Sequence, residues 1–390
     1  MRGLVVAPHP FFTPRGTPFS VYFRTLITAE LGVELDLLTY GEGEDVDIPG
    51  VRLIRIPRLP FTHDVPVGPS VKKLVLDVVM VVWTIGLLLR TRYDFVHAHE
   101  ESVFFCRVLK PLFGFKLVYD MHSSLPQQLS NFEFTRSRLP VRLFEMLERS
   151  ALHAATAVIT ICPDLAKLVE SELQDPSRHF LIENSIFEDV KVAPPPPSDA
   201  AAALRVKVLP GGPLVVYSGT FEPYQGIDLL IQAFALVRQH RPDAFLLLIG
   251  GTADQVEHYR ALAESHGLGG SCQFTGRVPQ ATARSLAEQA SVLTSPRVKG
   301  TNTPLKIYEE LASGIPLVAT RIHAHTQVLG DDVCFLVDPT AATMAAGILD
   351  AITDTARRDA VTAGALQLYE TRYARPVYEQ KMRSLLERLR

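Results

Sequence analysis

Apolar residues along this chain fall into two alternating kinds of run. Short stretches rich in β-branched and other apolar residues occupy 3–7, 33–39, 51–56, 95–98, 116–119, 157–161 and 180–182. Between several of them the apolar positions return every three or four residues, which predicts helices over 18–31, 71–89, 140–154 and 163–173. Apolar strands alternating with helices predict a parallel sheet covered on both faces. The alternation restarts farther on. Strands are predicted at 214–217, 244–249, 272–275, 292–294, 316–319 and 334–337, with helices at 226–239, 254–267, 280–289 and 305–312 and a last one at 376–389.

One break separates the two series. Ala193-Pro194-Pro195-Pro196-Pro197-Ser198 continues neither a helix nor a central strand, so it predicts a stiff, extended connector. The expected organisation is an amino-terminal domain over 1–190, a linker over 191–200 and a second domain over 201–372. A carboxyl-terminal helix over 373–390 is free to cross back to the first domain. The expected fold class is α/β, two Rossmann-like doubly wound domains facing a central cleft. Ligands of such sheets lie outside the carboxyl ends of the strands, so the informative residues are the polar ones just after each strand.

Composition narrows the function classes. The 390 residues carry 39 Lys+Arg against 42 Asp+Glu, a formal charge of -3, which leaves no protein-wide electrostatic reason to bind nucleic acid. At 47% hydrophobic and 21% charged residues, the chain is neither disordered nor a small disulfide scaffold. Cys106, Cys162, Cys272 and Cys334 lie far apart, with no CxxC, as expected for a reducing cytoplasm. The first apolar run stops at Pro8-His9-Pro10, too early for an export signal. The stretch 74–89 is interrupted by Asp77 and is expected to form a buried or interfacial helix, being short of a membrane span.

Histidines recur at the strand ends of the first half: His9, His97, His99 and His122. Each can bind a sugar hydroxyl or phosphate, move a proton, or simply satisfy loop backbone. His97-x-His99-Glu100-Glu101 lacks the helical spacing of a metal site, so no metal is expected. After the first strand, Pro14-Arg15-Gly16-Thr17-Pro18 enters a helix, and Gly16 lets backbone approach a ligand. In the second half a polar loop from Ser295 to Pro304 follows an apolar strand and runs into a helix closed by Gly314. Thr303 and Pro304 read as helix-start signals, so Thr303, Leu305 and Lys306 are placed to offer amides and positive charge to a diphosphate. Glu309, a turn further in, is placed to bind a ribose diol. Asp45-Val46-Asp47 lies in an acidic loop away from any strand-end phosphate site and reads as a solvated turn.

The stretch Pro304-Leu305-Lys306-Ile307-Tyr308-Glu309-Glu310-Leu311-Ala312-Ser313-Gly314-Ile315-Pro316 resembles the carboxyl-domain signature of family 4 glycosyltransferases, which are retaining GT-B enzymes using nucleotide-sugar donors. Ser218-Gly219-Thr220-Phe221, continuing through Gln225-Gly226, Phe274-Thr275-Gly276-Arg277-Val278 and Ile182-Glu183-Asn184-Ser185 echo the same family. The resemblance implies that Glu309 binds the nucleotide ribose, Gly16 approaches the donor phosphates and His122 contacts the donor sugar. It also implies that the backbone through Arg277 and Val278 edges the base. Two departures stand out. The family's first glutamate, eight positions before Glu309, is Thr301 here, or Lys299 if the proline sets the register. Its usual Arg and Lys after the first strand of this domain are Thr220 and Gln225. The diphosphate's countercharge then falls to Lys306 first, with Arg297 and Lys299 next; Asn302, Thr303, Pro304 and Leu305 complete the donor loop.

The implied reaction moves a sugar to an acceptor hydroxyl with its configuration kept, and needs no cofactor or metal. Charge grows on the leaving phosphate, where a lysine and fixed amides stabilise it. A UDP-sugar is the favoured donor. The acceptor, a glycan, a lipid-linked species or a small molecule, is expected on the first domain near 57–68 and 123–138. The basic and apolar stretch 136–149 and the helix over 74–89 make contact with an anionic membrane at the inner face of the plasma membrane an open alternative. The rivals are a dinucleotide oxidoreductase, disfavoured because no GxGxxG follows a strand, another nucleotide-sugar enzyme of epimerase or phosphorylase type, and a nucleotide-sugar-binding protein without turnover.

Overall fold

Each run expected to be a strand is one in the computed structural model, which describes residues 1–13, 16–59, 70–124, 138–188, 190 and 211–390, and of 138–141 the backbone alone. The first sheet contains β1 (Arg2–Ala7), β2 (Glu34–Thr39), β3 (Val51–Arg55), β4 (Phe95–His99), β5 (Lys116–Met121), β6 (Ala157–Thr160) and β7 (His179–Leu181). Their order is β3-β2-β1-β4-β5-β6-β7. The second sheet contains β8 (Leu214–Ser218), β9 (Phe245–Ile249), β10 (Cys272–Gly276), β11 (Val292–Ser295), β12 (Leu317–Thr320) and β13 (Phe335–Val337), in the order β10-β9-β8-β11-β12-β13. All their pairings are parallel. In each sheet the strand order reverses once, between β1 and β4 and between β8 and β11. Connections there leave to opposite faces and open a crevice at the carboxyl ends.

Helices cover both sheets: α1 (Gly16–Glu30), α2 (Val71–Arg90), α3 (Ser102–Phe113), α4 (Arg138–Ala154) and α5 (Pro163–Glu172) in the first half. The second half has α6 (Ile227–His240), α7 (Ala253–Ser265), α8 (Gln280–Ala287), α9 (Lys306–Ala312), α10 (His323–Thr326), α11 (Ala341–Thr353) and α12 (Thr355–Arg372). α3 carries Pro111 in its last turn, which breaks the repeat that would have announced it. Ser70 starts α2 by accepting the Lys73 amide at 3.1 Å. Two compact units result: Met1–Ala193 with Arg375–Arg390, and Pro194–Ala374. The last helix, α13 (Arg375–Arg388), packs on the first unit, where Lys381 pairs with Glu183 at 2.6 Å and Arg388 with Asp175 at 2.9 Å. The proline connector and Pro14-Arg15 lie outside the described residues.

Candidate active site

In the second unit Lys306 reaches the β8/β11 switch point. Its Nζ lies 4.1 Å from the Tyr217 ring centroid, donates to the Thr294 carbonyl at 3.3 Å and pairs with Glu310 Oε1 at 3.6 Å. Tyr217 and Thr294 are the penultimate residues of β8 and β11, so the ammonium sits at the ends of the two central strands. Burial pulls its pKa below the ordinary lysine range, and Glu310 offsets part of that. Glu309 turns toward α8, with Oε1 3.1 Å from the Arg284 guanidinium; both side chains are about one-third exposed.

The polar loop before α9 differs from its expected form. Thr303 does not cap the helix; its Oγ1 is buried without a hydrogen-bond partner among the described residues, and Leu305 occupies the cap position in a helical conformation. The Ile307 and Tyr308 amides already donate to the Pro304 and Leu305 carbonyls at 3.0 and 3.3 Å, so they are not open donors for a phosphate. Arg297 is turned back on its own loop: it donates to the Lys299 carbonyl at 2.7 Å and the Asn302 carbonyl at 3.3 Å, and covers the Tyr224 ring. Gly300 makes room for it with φ 137°, since a Cβ there would lie 2.2 Å from the guanidinium. Lys299 and Thr301 are exposed, and the Thr301 carbonyl accepts from Gln327.

Thr220 and Gln225 form one loop after β8. The Tyr217 hydroxyl donates to the Thr220 carbonyl at 2.7 Å, and Gln225 Nε2 to Thr220 Oγ1 at 3.4 Å. Beside it, a Cβ on Gly250 would come within 1.9 Å of the Gly219 carbonyl, so bare backbone from β8 and β9 meets there. Arg277 is exposed just after β10, whereas Val278 packs partly into the core. The residues that sequence reasoning missed here are Tyr217, Glu310 and His325. His325 is fully buried, joins Ser295 at 3.0 Å to the Thr320 carbonyl at 2.8 Å, and is kept neutral by burial that lowers its pKa to about 4.

In the first unit the strand-end histidines converge on one carboxylate. His97 Nε2 donates to Asp120 Oδ2 at 2.8 Å, and His99 Nδ1 and His122 Nε2 lie 3.0 Å apart, each 3.4 Å from Asp120. Arg24, in the middle of α1, brings its Nη1 to 3.0 Å from Asp120 and donates through Nη2 to the Ile182 carbonyl and Asn184. Arg24 and its neighbours hold the Asp120 carboxyl well below its usual range even though burial opposes this. Burial lowers His122 to about 4 and His9 to about 3, so both are neutral near pH 7. Candidate ligand atoms of His97, His99 and Asp120 lie within 4.8 Å of one another, but the Arg24 guanidinium already supplies the cation this carboxylate needs. The signal for Arg24 was a lone charge within the otherwise uncharged run Phe19–Ala29. Gly16 opens α1, and among the described residues no heavy atom beyond its chain neighbours lies within 4 Å of where a Cβ would sit.

Comparison with known proteins extends this picture. Residues 26–185 match the model of the glycosyl transferase 4-like domain, and residues 204–367 that of the glycosyl transferases group 1. The chain belongs to glycosyltransferase family 4. It is similar to the phosphatidyl-myo-inositol mannosyltransferase of Mycobacterium tuberculosis, 32% identical over 174 residues, which are 42% of this chain and 45% of that protein. The chain thus matches a little under half the length of that relative. The enzyme of the same name from Propionibacterium freudenreichii is 24% identical over 85% of this chain and 80% of its own length. Among solved structures, the sucrose-phosphate synthase of Thermosynechococcus elongatus covers the whole chain and 98% of itself at TM-score 0.76 and 21% identity. Anabaena HepE, solved in complex with UDP, covers 99% of this chain and 100% of itself at TM-score 0.71 and 17% identity. At these identities the structural likeness places both units of this family 4 chain in the GT-B fold.

Proposed function

We propose that this chain is a retaining, metal-independent glycosyltransferase that moves a sugar from a nucleotide-sugar donor, a UDP-sugar by preference, to a glycan, lipid-linked or small-molecule acceptor. The observation that carries the reading is the Lys306 ammonium at the β8/β11 switch point with Glu309 one turn along the same helix. As the glycosidic bond breaks, negative charge grows on the leaving diphosphate, and a preorganised, partly desolvated ammonium stabilises that charge more than the ground state. Glu309, held by Arg284, offers its carboxylate to the ribose diol. His122 is neutral and hydrogen-bonded, so its part is to orient a sugar hydroxyl and not to act as a strong base. HepE with bound UDP supports the uridine preference, and the named relatives support an inositol-containing acceptor.

Glu309→Ala is expected to weaken binding of UDP about tenfold to a hundredfold, the value of a lost bidentate charged hydrogen bond. Isothermal titration measures it, and unchanged affinity contradicts the pentose contact. Adding acceptor to the donor complex separates a catalyst, which releases free nucleoside diphosphate, from a binder, which does not.

Contact with an anionic membrane is part of the same proposal. α2 buries Leu76, Met80, Thr84 and Leu88, yet Val71, Leu74, Val78, Val82 and Leu89 are exposed, so it has two apolar faces, of which the described residues cover one. Val108 and Leu112 of α3 and Leu143 and Met146 of α4 are exposed as well. Asp77, the charge interrupting the run, is turned inward onto the Tyr40 hydroxyl at 2.5 Å. Lys72, Arg90, Arg92 and Arg142 are exposed on or beside these helices. No described helix is long and apolar enough to cross a membrane, so contact would be at the surface. Of the expected basic stretch, Arg136 and the Arg138 side chain, like most of 57–68 and 123–138, lie outside the described residues. The protein is expected to float with liposomes containing phosphatidylinositol and to be released by salt; sedimentation free of lipid at low salt contradicts this.

A further inference from the structure

α9 carries a second carboxylate that neither the phosphate nor the pentose contact uses. Glu310 is 8% exposed; its Oε1 faces Lys306 Nζ at 3.6 Å, and its Oε2 is buried without a hydrogen-bond partner among the described residues. Lys306 precedes it by one helical turn, the spacing at which two side chains on a helix meet. Through Lys306 and the Tyr217 ring, Glu310 is connected to the Thr220 carbonyl, which accepts from the Tyr217 hydroxyl. A carboxylate on α9 therefore braces the loop that follows β8.

On the donor-site reading above, we propose that Glu310 is a positioning residue that clamps the Lys306 ammonium at the β8/β11 switch point. By gaining or losing one proton, it also sets how much positive charge that crevice offers to a sugar nucleotide's diphosphate. A lysine has four rotatable bonds, and ordering one at an anion site costs conformational entropy that a fixed partner removes beforehand. An ionised partner has a second effect: it cancels the charge the diphosphate needs.

The groups around this pair define when that cancellation occurs. Lys306 and Glu309 face Glu310 from its own helix, Tyr217 from β8 and Cys334 from the turn before β13, while Arg297 from the loop after β11 and His325 from α10 face Lys306. Burial holds the Tyr217 hydroxyl and the Cys334 thiol protonated and His325 neutral near pH 7. Burial, reinforced by Glu309 and opposed by Lys306, pushes Glu310 up to about 7. Below that pH Glu310 is neutral, and the Lys306 charge is free to meet the diphosphate. Above it the carboxylate neutralises the lysine, so donor affinity falls as pH rises. By reciprocity, bound donor favours the protonated form of Glu310.

The test is isothermal titration of the full chain with UDP-glucose at about pH 6, 7 and 8, with GDP-mannose run alongside. The diphosphate of a sugar nucleotide, esterified at both ends, keeps a constant charge over this range, so its own titration does not intrude. Wild-type Kd is expected to rise by up to about tenfold from pH 6 to pH 8, the limit for one linked proton on a group that titrates near 7 in the free protein. Glu310→Gln is expected to bind with little pH dependence, and Glu310→Asp to restore part of the slope. Melting curves confirm that each variant is folded. A wild-type affinity flat across the range, or an equal slope in Glu310→Gln, overturns the role of Glu310. Failure of both sugar nucleotides to bind wild type at any pH overturns the donor site itself, and Glu310's role with it.

Discussion

Lys306→Ala is expected to lower the rate of sugar transfer by about 10² to 10³-fold, the usual loss when one preorganised donor to a developing anion is removed. The loss should fall mainly on kcat, because the ammonium serves the leaving diphosphate most when its charge is greatest. The protein should remain folded. Glu310, deprived of its cation, keeps its proton instead of leaving a bare charge in the interior. Steady-state kinetics on a panel of inositol-containing and sugar acceptors, paired with a melting curve, measure both effects. A variant with wild-type kcat would remove Lys306 from the chemistry. Arg297 is a poorer candidate for this work, because its guanidinium is already spent on its own loop and on the Tyr224 ring.

Asp120→Ala should cost stability, and more of it than any substitution at the donor loop. Asp120 and Arg24 are almost completely buried and 3.0 Å apart, so removing the carboxylate strands a guanidinium in the interior. Breaking such a pair costs about 3–5 kcal/mol, a large part of the 5–15 kcal/mol that holds an ordinary domain together. Urea unfolding followed by a probe in each unit should show the transition of the first unit moved to lower denaturant and that of the second unmoved. The double variant Asp120→Leu with Arg24→Met should recover much of the loss, since neither charge then stays buried. Equal destabilisation in single and double variants would mean that packing, and not the charge pair, is what the site needs.

These two sites were legible to different degrees for physical reasons. The sheets could be read because parallel strands covered on both faces must be apolar throughout, as in Phe245–Ile249, and the helices between them showed a clear repeat. Lys306 and Glu309 could be named because the loop, proline and helix around them resemble a known signature. Where their side chains turn could not be read. Thr303 looks like a helix cap, but the helix starts three residues later, and Arg297 looks like a phosphate ligand until Gly300 lets it fold back. The Asp120 cluster was harder still, since it assembles from β4, β5, α1 and the segment after β7, which only the fold brings together. His97, His99 and His122 were visible as strand-end residues, but the buried arginine that pairs with Asp120 beside them was not.

The central claim is that the β8/β11 switch point of the second unit is where the donor's diphosphate binds. A crystal structure of the protein soaked with UDP tests it most directly. The account predicts the diphosphate within hydrogen-bonding distance of Lys306 Nζ and the ribose hydroxyls on the Glu309 carboxylate. UDP lodged on other residues, with Lys306 still closed on Glu310 and Tyr217, would contradict it.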